Sequence, residues 1–204
     1  MVLYYFYDPM CSWCYAFDVT YQKLESALPD SICSKKIVGG LAVDSTVVMP
    51  RSMINTIQSA WQQIERTVPH IQFNYEFWIK NNPMRSTYPA CRAVLAAKKQ
   101  SPEFENKMIH QIQWAYYKNA ENPSLRATLV NCAKMIGLNC ELFEMDIASQ
   151  EIEMQLQYEI QFTRHAGVST YPSLCLQIEK QLVAINIDYN DAQKIVEQIQ
   201  LYIN

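Results

Sequence analysis

Two thiols separated by a dipeptide, Cys11-Ser12-Trp13-Cys14, sit inside the stretch Asp8-Pro9-Met10-Cys11-Ser12-Trp13-Cys14. Sulfurs at this spacing can close an intramolecular disulfide or contribute half of a zinc site. The local structure that must hold them decides between the two. Upstream, Val2-Leu3-Tyr4-Tyr5-Phe6-Tyr7 is apolar and aromatic throughout and reads as a buried strand. Downstream, Phe17, Tyr21, Leu24 and Leu28 recur at helical steps. The pair therefore stands where a central strand gives way to a helix.

The first turn of a helix carries backbone N–H groups without internal partners, and its aligned dipoles make that end electropositive. A thiol placed there loses its proton more readily, and the thiolate is the reactive form. Cys11 is the candidate nucleophile. Cys14, one turn on and on the same face, is the candidate resolving thiol. A structural zinc site needs four Cys or His ligands. No second Cys-x-x-Cys is present, and His70, His110 and His165 have no evident pairing. Disulfide exchange without a metal is the reading that follows.

The chain of 204 residues suits one domain, or one domain carrying a large insertion. Half of it is apolar, enough for a substantial core. A formal net charge of −3 with no run of Lys or Arg argues against a nucleic-acid partner. No stretch of about 18 uninterrupted apolar residues argues for a membrane span. The first strand begins at Val2 with no leader pattern before it, so the expected compartment is the cytoplasm. Seven cysteines, odd in number and scattered, do not resemble a secreted disulfide framework. They fit a reducing compartment in which one pair cycles and Cys33, Cys91, Cys132, Cys140 and Cys175 are small buried hydrophobes.

After the first helix, Lys36 to Val43 reads as a second strand in which Gly39-Gly40 marks a bulge or a close backbone approach. From about Pro50 to His165 the pattern is helical. It holds an apolar stripe of Met53, Ile54, Ile57, Trp61, Ile64 and Val68, then an ambiguous aromatic segment from Ile71 to Asn82. Helix starts follow near Pro89, Pro102 and Pro123, and a further helix spans Ser149 to His165. Leu174–Ile178 and Leu182–Ile187 read as a hairpin, followed by a helix from about Asn190. The expected fold class is α/β: β-α-β and β-β-α halves separated by a large all-helical insertion. Residues 1–49 and 166–204 would form a discontinuous domain, and residues 50–165 the insertion.

These features resemble the DsbA-like branch of the thioredoxin superfamily, in particular its FrnE-type, disulfide-isomerase-like members. The resemblance rests on the Asp8–Tyr15 motif after a strand, the helical insertion with Pro89–Ala97, and the loop Gly167-Val168-Ser169-Thr170-Tyr171-Pro172. It implies a thioredoxin-like fold and a protein disulfide oxidoreductase or isomerase in which Cys11 attacks and Cys14 resolves. It also implies a cis proline at Pro172, facing the helix end, with Thr170, Tyr171 and Pro172 as the substrate platform. A cis bond there turns the Tyr171 backbone outward, free to pair with an extended peptide. Two departures stand out. Ser12-Trp13 differs from the Pro-His of the strongly oxidising periplasmic proteins, and Tyr171 is bulkier than the Val or Thr often found before the proline, which narrows the groove.

Subsidiary residues carry plainer alternatives. Trp13 either lines the substrate surface or packs in the core. Asp8 reads first as a turn residue, and a carboxylate there would also influence both thiols. Arg85 and Arg92 could meet an anionic substrate or simply sit at solvated helix ends. Trp61, Phe73, Phe77, Trp78 and Trp114 read as core of the helical cap. Expected substrates are disulfide-bearing proteins or low-molecular-weight thiols. No cofactor is required, and glutathione is a candidate reductant or substrate. The alternatives are a kappa-class glutathione transferase or 2-hydroxychromene-2-carboxylate isomerase, which share the helical-insertion architecture, and a non-catalytic adaptor or thiol sensor. Oligomeric state stays open.

Overall fold

The computed structural model describes residues 1–203. β1 (Val2–Tyr7) lies between its parallel neighbour β2 (Cys33–Val38) and the antiparallel β3 (Ser173–Ile178). β4 (Gln181–Ile185) pairs antiparallel with β3, giving the order β2-β1-β3-β4. Two segments far apart in sequence thus build one sheet: Tyr5 is in register with Lys36 on one side and Leu174 on the other.

What covers β1 explains its unbroken apolar run. Tyr5 meets Phe17 and Tyr21 of α1 (Ser12–Ala27), while Tyr4 and Phe6 meet Phe162 of α8 (Gln150–His165). A strand covered on both faces has no solvent side to alternate with. Between β2 and α8 run α2 (Arg51–Thr67), α3 (Phe77–Lys80), α4 (Tyr88–Gln100), α5 (Phe104–Tyr117), α6 (Arg126–Met135) and α7 (Cys140–Asp146), and α9 (Ala192–Gln200) follows β4. This is the thioredoxin-like α/β arrangement, with β-α-β and β-β-α halves separated by an all-helical insertion.

The core runs without a break from sheet to insertion, joining Leu3, Phe17 and Leu176 to Val94, Ile112 and Leu156. A second cluster is built on Trp61, which stacks on Phe73 and meets Phe77 and Tyr116. Full burial of each such side chain contributes about 1.5–3 kcal/mol. Helix starts follow local chemistry: Asn139, Ser149 and Asp191 accept N–H bonds as caps for α7, α8 and α9.

Several expectations are corrected. β2 ends at Val38 rather than continuing to Val43, because Gly40 takes a left-handed φ of 62° and turns the chain out of the sheet. The ambiguous stretch from Ile71 becomes a loop carrying the short α3, and α7 was not anticipated. Trp114, 54% exposed on α5, lies outside the cap core. Cys33 is exposed and Cys140 half-buried, so these two are not buried hydrophobes. No helix among the described residues is long and apolar enough to cross a membrane.

Candidate functional site

The turn from β1 into α1 is fixed by Asp8. Its side chain is fully buried and accepts hydrogen bonds from the Met10 N–H (2.8 Å), the Leu41 N–H (2.7 Å), Thr87 Oγ1 (2.6 Å) and Cys91 Sγ (3.6 Å). Burial pushes the Asp8 carboxyl above the usual carboxylate range, and the four donors pull it part of the way back. Asp8 is therefore more than a turn residue. It ties the α1 entry to the loop after β2 and to the start of α4. Cys91, expected as an inert filler, is one of its partners.

Cys11 is the N-cap of α1 and takes extended backbone there. Its N–H bonds the Asp8 carbonyl and its carbonyl accepts from the Tyr15 N–H, each at 3.0 Å. The Tyr117 hydroxyl holds the Met10 carbonyl at 2.7 Å. Placed this way, Cys11 Sγ donates to the Tyr171 carbonyl at 3.4 Å, joining residues 160 apart in sequence. The Tyr171–Pro172 peptide bond is cis. Cys14 lies close to Cys11 and deeper, 1% exposed against 7%, and both are free thiols. Burial first, and then the hydrogen bond with Cys11, push the Cys14 thiol well above its ordinary value. The arrangement is asymmetric: an outer sulfur at the helix mouth and an inner one kept protonated.

Tyr171 is half-buried against the loop that follows β2. Its ring packs over Gly39, where a Cβ would fall within the ring's own volume, and its hydroxyl donates to the Gly39 carbonyl at 2.8 Å. Nor is the Tyr171 carbonyl free for a peptide in this state, since the Cys11 thiol occupies it. The glycine pair was legible as a close approach, but not its partner.

A cavity of about 350 Å³ opens beside Cys11. Met10, Trp13, Ile57 and Trp61 supply apolar wall, while Arg85, Thr87, Ser169, Thr170 and Tyr171 line the polar side. Trp13 is half-buried and tilts against Tyr189 at 4.8 Å. Thr170 is exposed, whereas Pro172 is buried and lies outside the cavity lining. Sequence reasoning missed Gly39, Ile57 and Thr87 as site residues; Ile57 was visible only as part of a helix stripe, and Thr87 as a residue ahead of Pro89. Of the two candidate anion-binding arginines, Arg85 reaches the cavity. Arg92 does not, being clamped by Asp44 (2.6 Å) and Glu153 (3.0 Å). Among the described residues, no three His, Cys, Asp or Glu side chains gather as metal ligands would.

Known proteins share this architecture. A Nitrosomonas europaea protein described as a candidate protein disulfide isomerase superposes with a TM-score of 0.85 at 23% identity, over 99% of this chain and 97% of the other. The cytosolic disulfide reductase DsbM from Pseudomonas aeruginosa gives 0.77 at 17% identity, over 100% and 98%, and has also been solved with GSH. Among curated sequences, the ClpXP adapter protein SpxH of Halalkalibacterium halodurans is 24% identical over 177 residues, and that of Bacillus subtilis 22% over 172. Both matches take in 84% of this chain, which spans 56% of the length of either relative. Residues 4–198 match the thioredoxin family model, and the chain belongs to the thioredoxin family.

Proposed function

We propose that this protein is a thiol–disulfide oxidoreductase acting on protein or low-molecular-weight disulfides, with Cys11 attacking, Cys14 resolving, Trp13, Thr170 and Tyr171 forming the substrate platform, and buried Pro172 setting that platform from behind. One observation carries the proposal: Cys11 Sγ sits at the mouth of α1, 3.4 Å from the Tyr171 carbonyl, in a cavity large enough for a small substrate. In the reducing direction the Cys11 thiolate attacks one sulfur of a disulfide RSSR. A bond from Cys11 to that sulfur forms, the old S–S bond breaks, and RS⁻ leaves. Cys14 then gives its proton to water and attacks Cys11 Sγ, closing the intramolecular disulfide and releasing the second RS⁻. Two electrons pass to the substrate. Ionisation of Cys11 also ends its bond to Tyr171, releasing that carbonyl for a substrate main chain.

This chemistry requires no metal or organic cofactor. The structural neighbour solved with GSH supports glutathione as reductant or substrate, and the same neighbour's description as cytosolic supports a cytoplasmic setting. The reduced protein should reduce a disulfide substrate. Cys11→Ser should abolish the reaction, and Cys14→Ser should accumulate the mixed disulfide; full activity in the Cys11 variant refutes the proposal.

A second reading, a proteolytic adapter, is favoured by the sequence relatives named SpxH. It calls for a partner complex that survives Cys11→Ser.

A further inference from the structure

We propose that Arg85 makes the cavity beside Cys11 selective for small anionic disulfides, its guanidinium holding a substrate carboxylate while Cys11 meets the sulfur. The inference rests on the exchange reading above and names the substrate class that the site prefers. Among the described residues, Arg85 is the one charged side chain lining the cavity. It makes no ion pair or hydrogen bond with them, in contrast to Arg92 between its two carboxylates. Asp8, buried under the α1 entry, forms no ion pair with it and takes its hydrogen bonds from Met10, Leu41, Thr87 and Cys91 instead.

The loop beneath Arg85 is nevertheless tightly held. Met49 N–H bonds the Pro83 carbonyl (2.9 Å), Met84 bridges to Val48, Thr87 N–H bonds the Ala42 carbonyl (2.9 Å), and Ser124 Oγ bonds the Ser86 carbonyl (2.6 Å). A fixed backbone that presents a fork of unused donors is suited to bidentate carboxylate capture, with little left to reorganise. Apolar side chains, Met10, Met49, Ile57 and Met84 among them, share the lining with the polar side to which Arg85 belongs. Such a lining strengthens a lone charge at the mouth of a cleft. At about 350 Å³ the cavity is the size of a small peptide thiol, not of a folded domain.

The test uses the full-length reduced protein and three probes: glutathione disulfide (dianionic), hydroxyethyl disulfide (neutral) and cystamine (dicationic). Single-turnover rates should rank in that order once each is corrected for its intrinsic rate with a free dithiol. Arg85→Gln should lower the glutathione disulfide rate about two- to fivefold, the scale of one partly exposed ion pair, and lower the rate with the neutral probe by clearly less. Arg85→Lys should restore part of the difference. In the unmodified protein, added salt should shrink the ratio of the anionic to the neutral rate, a readout that needs no variant. An equal fall for all three probes in Arg85→Gln, or a ratio indifferent to salt, overturns the proposal. Failure of the unmodified protein to reduce even the neutral probe would instead strike at the exchange reading itself.

Discussion

Replacing Gly39 by Ala tests how the Tyr171–Pro172 loop is held against Cys11. The new Cβ would occupy space filled by the Tyr171 ring, while Gly39 has no left-handed φ to strain, so the whole effect must fall on Tyr171. The ring can yield only by swinging away from the Gly39 carbonyl, which its hydroxyl holds at 2.8 Å. Losing that bond costs about 1 kcal/mol net, and exposing a half-buried ring adds about another 1 kcal/mol. The sum, about 2 kcal/mol, corresponds to a midpoint lowered by roughly 4–8 °C in a chain of this size. Tyr171→Phe, which keeps the ring and removes the hydroxyl, should cost about half as much. The decisive measurement is a double-mutant cycle by urea denaturation of the reduced protein. Tyr171→Ala should cost about 2 kcal/mol alone and close to nothing in the Gly39→Ala background, a coupling of about 2 kcal/mol. On the proposed exchange reading, Gly39→Ala should slow exchange roughly tenfold, because misplacing Tyr171 beside Cys11 costs rate as well as stability. If Gly39→Ala is as stable as the parent, or Tyr171→Ala costs the same in both backgrounds, the packing argument is wrong.

Two further outcomes follow from the burial of the site. On the proposed mechanism Cys14 must lose a proton before it attacks Cys11, and its burial holds that proton on. The closing rate should therefore rise about tenfold per pH unit without levelling through about pH 8.5, the ordinary thiol value; a plateau near neutrality in rapid-quench trapping would contradict the structure. Asp8→Asn sets an amide against donors that now meet carboxylate oxygens, since either orientation of the amide leaves its NH₂ facing an N–H or O–H. That should cost about 1–3 kcal/mol, read by denaturation, with a smaller loss counting against the network.

The alternation of strand, motif and helix was legible because its signals are local: an aromatic run, a Cys pair, and apolar residues at helical spacing. The cap helices were legible for the same reason, helped by Pro89 and Ser149. What the sequence left hidden is every contact joining distant segments. Asp8 next to Pro9 looks like an ordinary turn until Leu41, Thr87 and Cys91 arrive around it. Gly39 announces a close approach but cannot say that a tyrosine 132 residues away makes it. Trp114 was misjudged because an aromatic on a helix carries no mark of which face it occupies, and α7 because a seven-residue helix is too short for periodicity to speak.

These long-range contacts bear on what the helical insertion does. A lid that only covered the site could move without disturbing the thiols. Here the start of α4 reaches beneath Cys11 through Thr87, which bonds both Asp8 and the Ala42 main chain, while Tyr117 at the end of α5 holds the carbonyl of Met10, the residue just before Cys11. The α1 entry is thus secured from the insertion as much as from its own sheet, and the core passes between them without a seam. The position of the Cys11 sulfur is accordingly a property of the whole chain: a change in how α4 and α5 seat on the sheet must be felt at the turn that presents it.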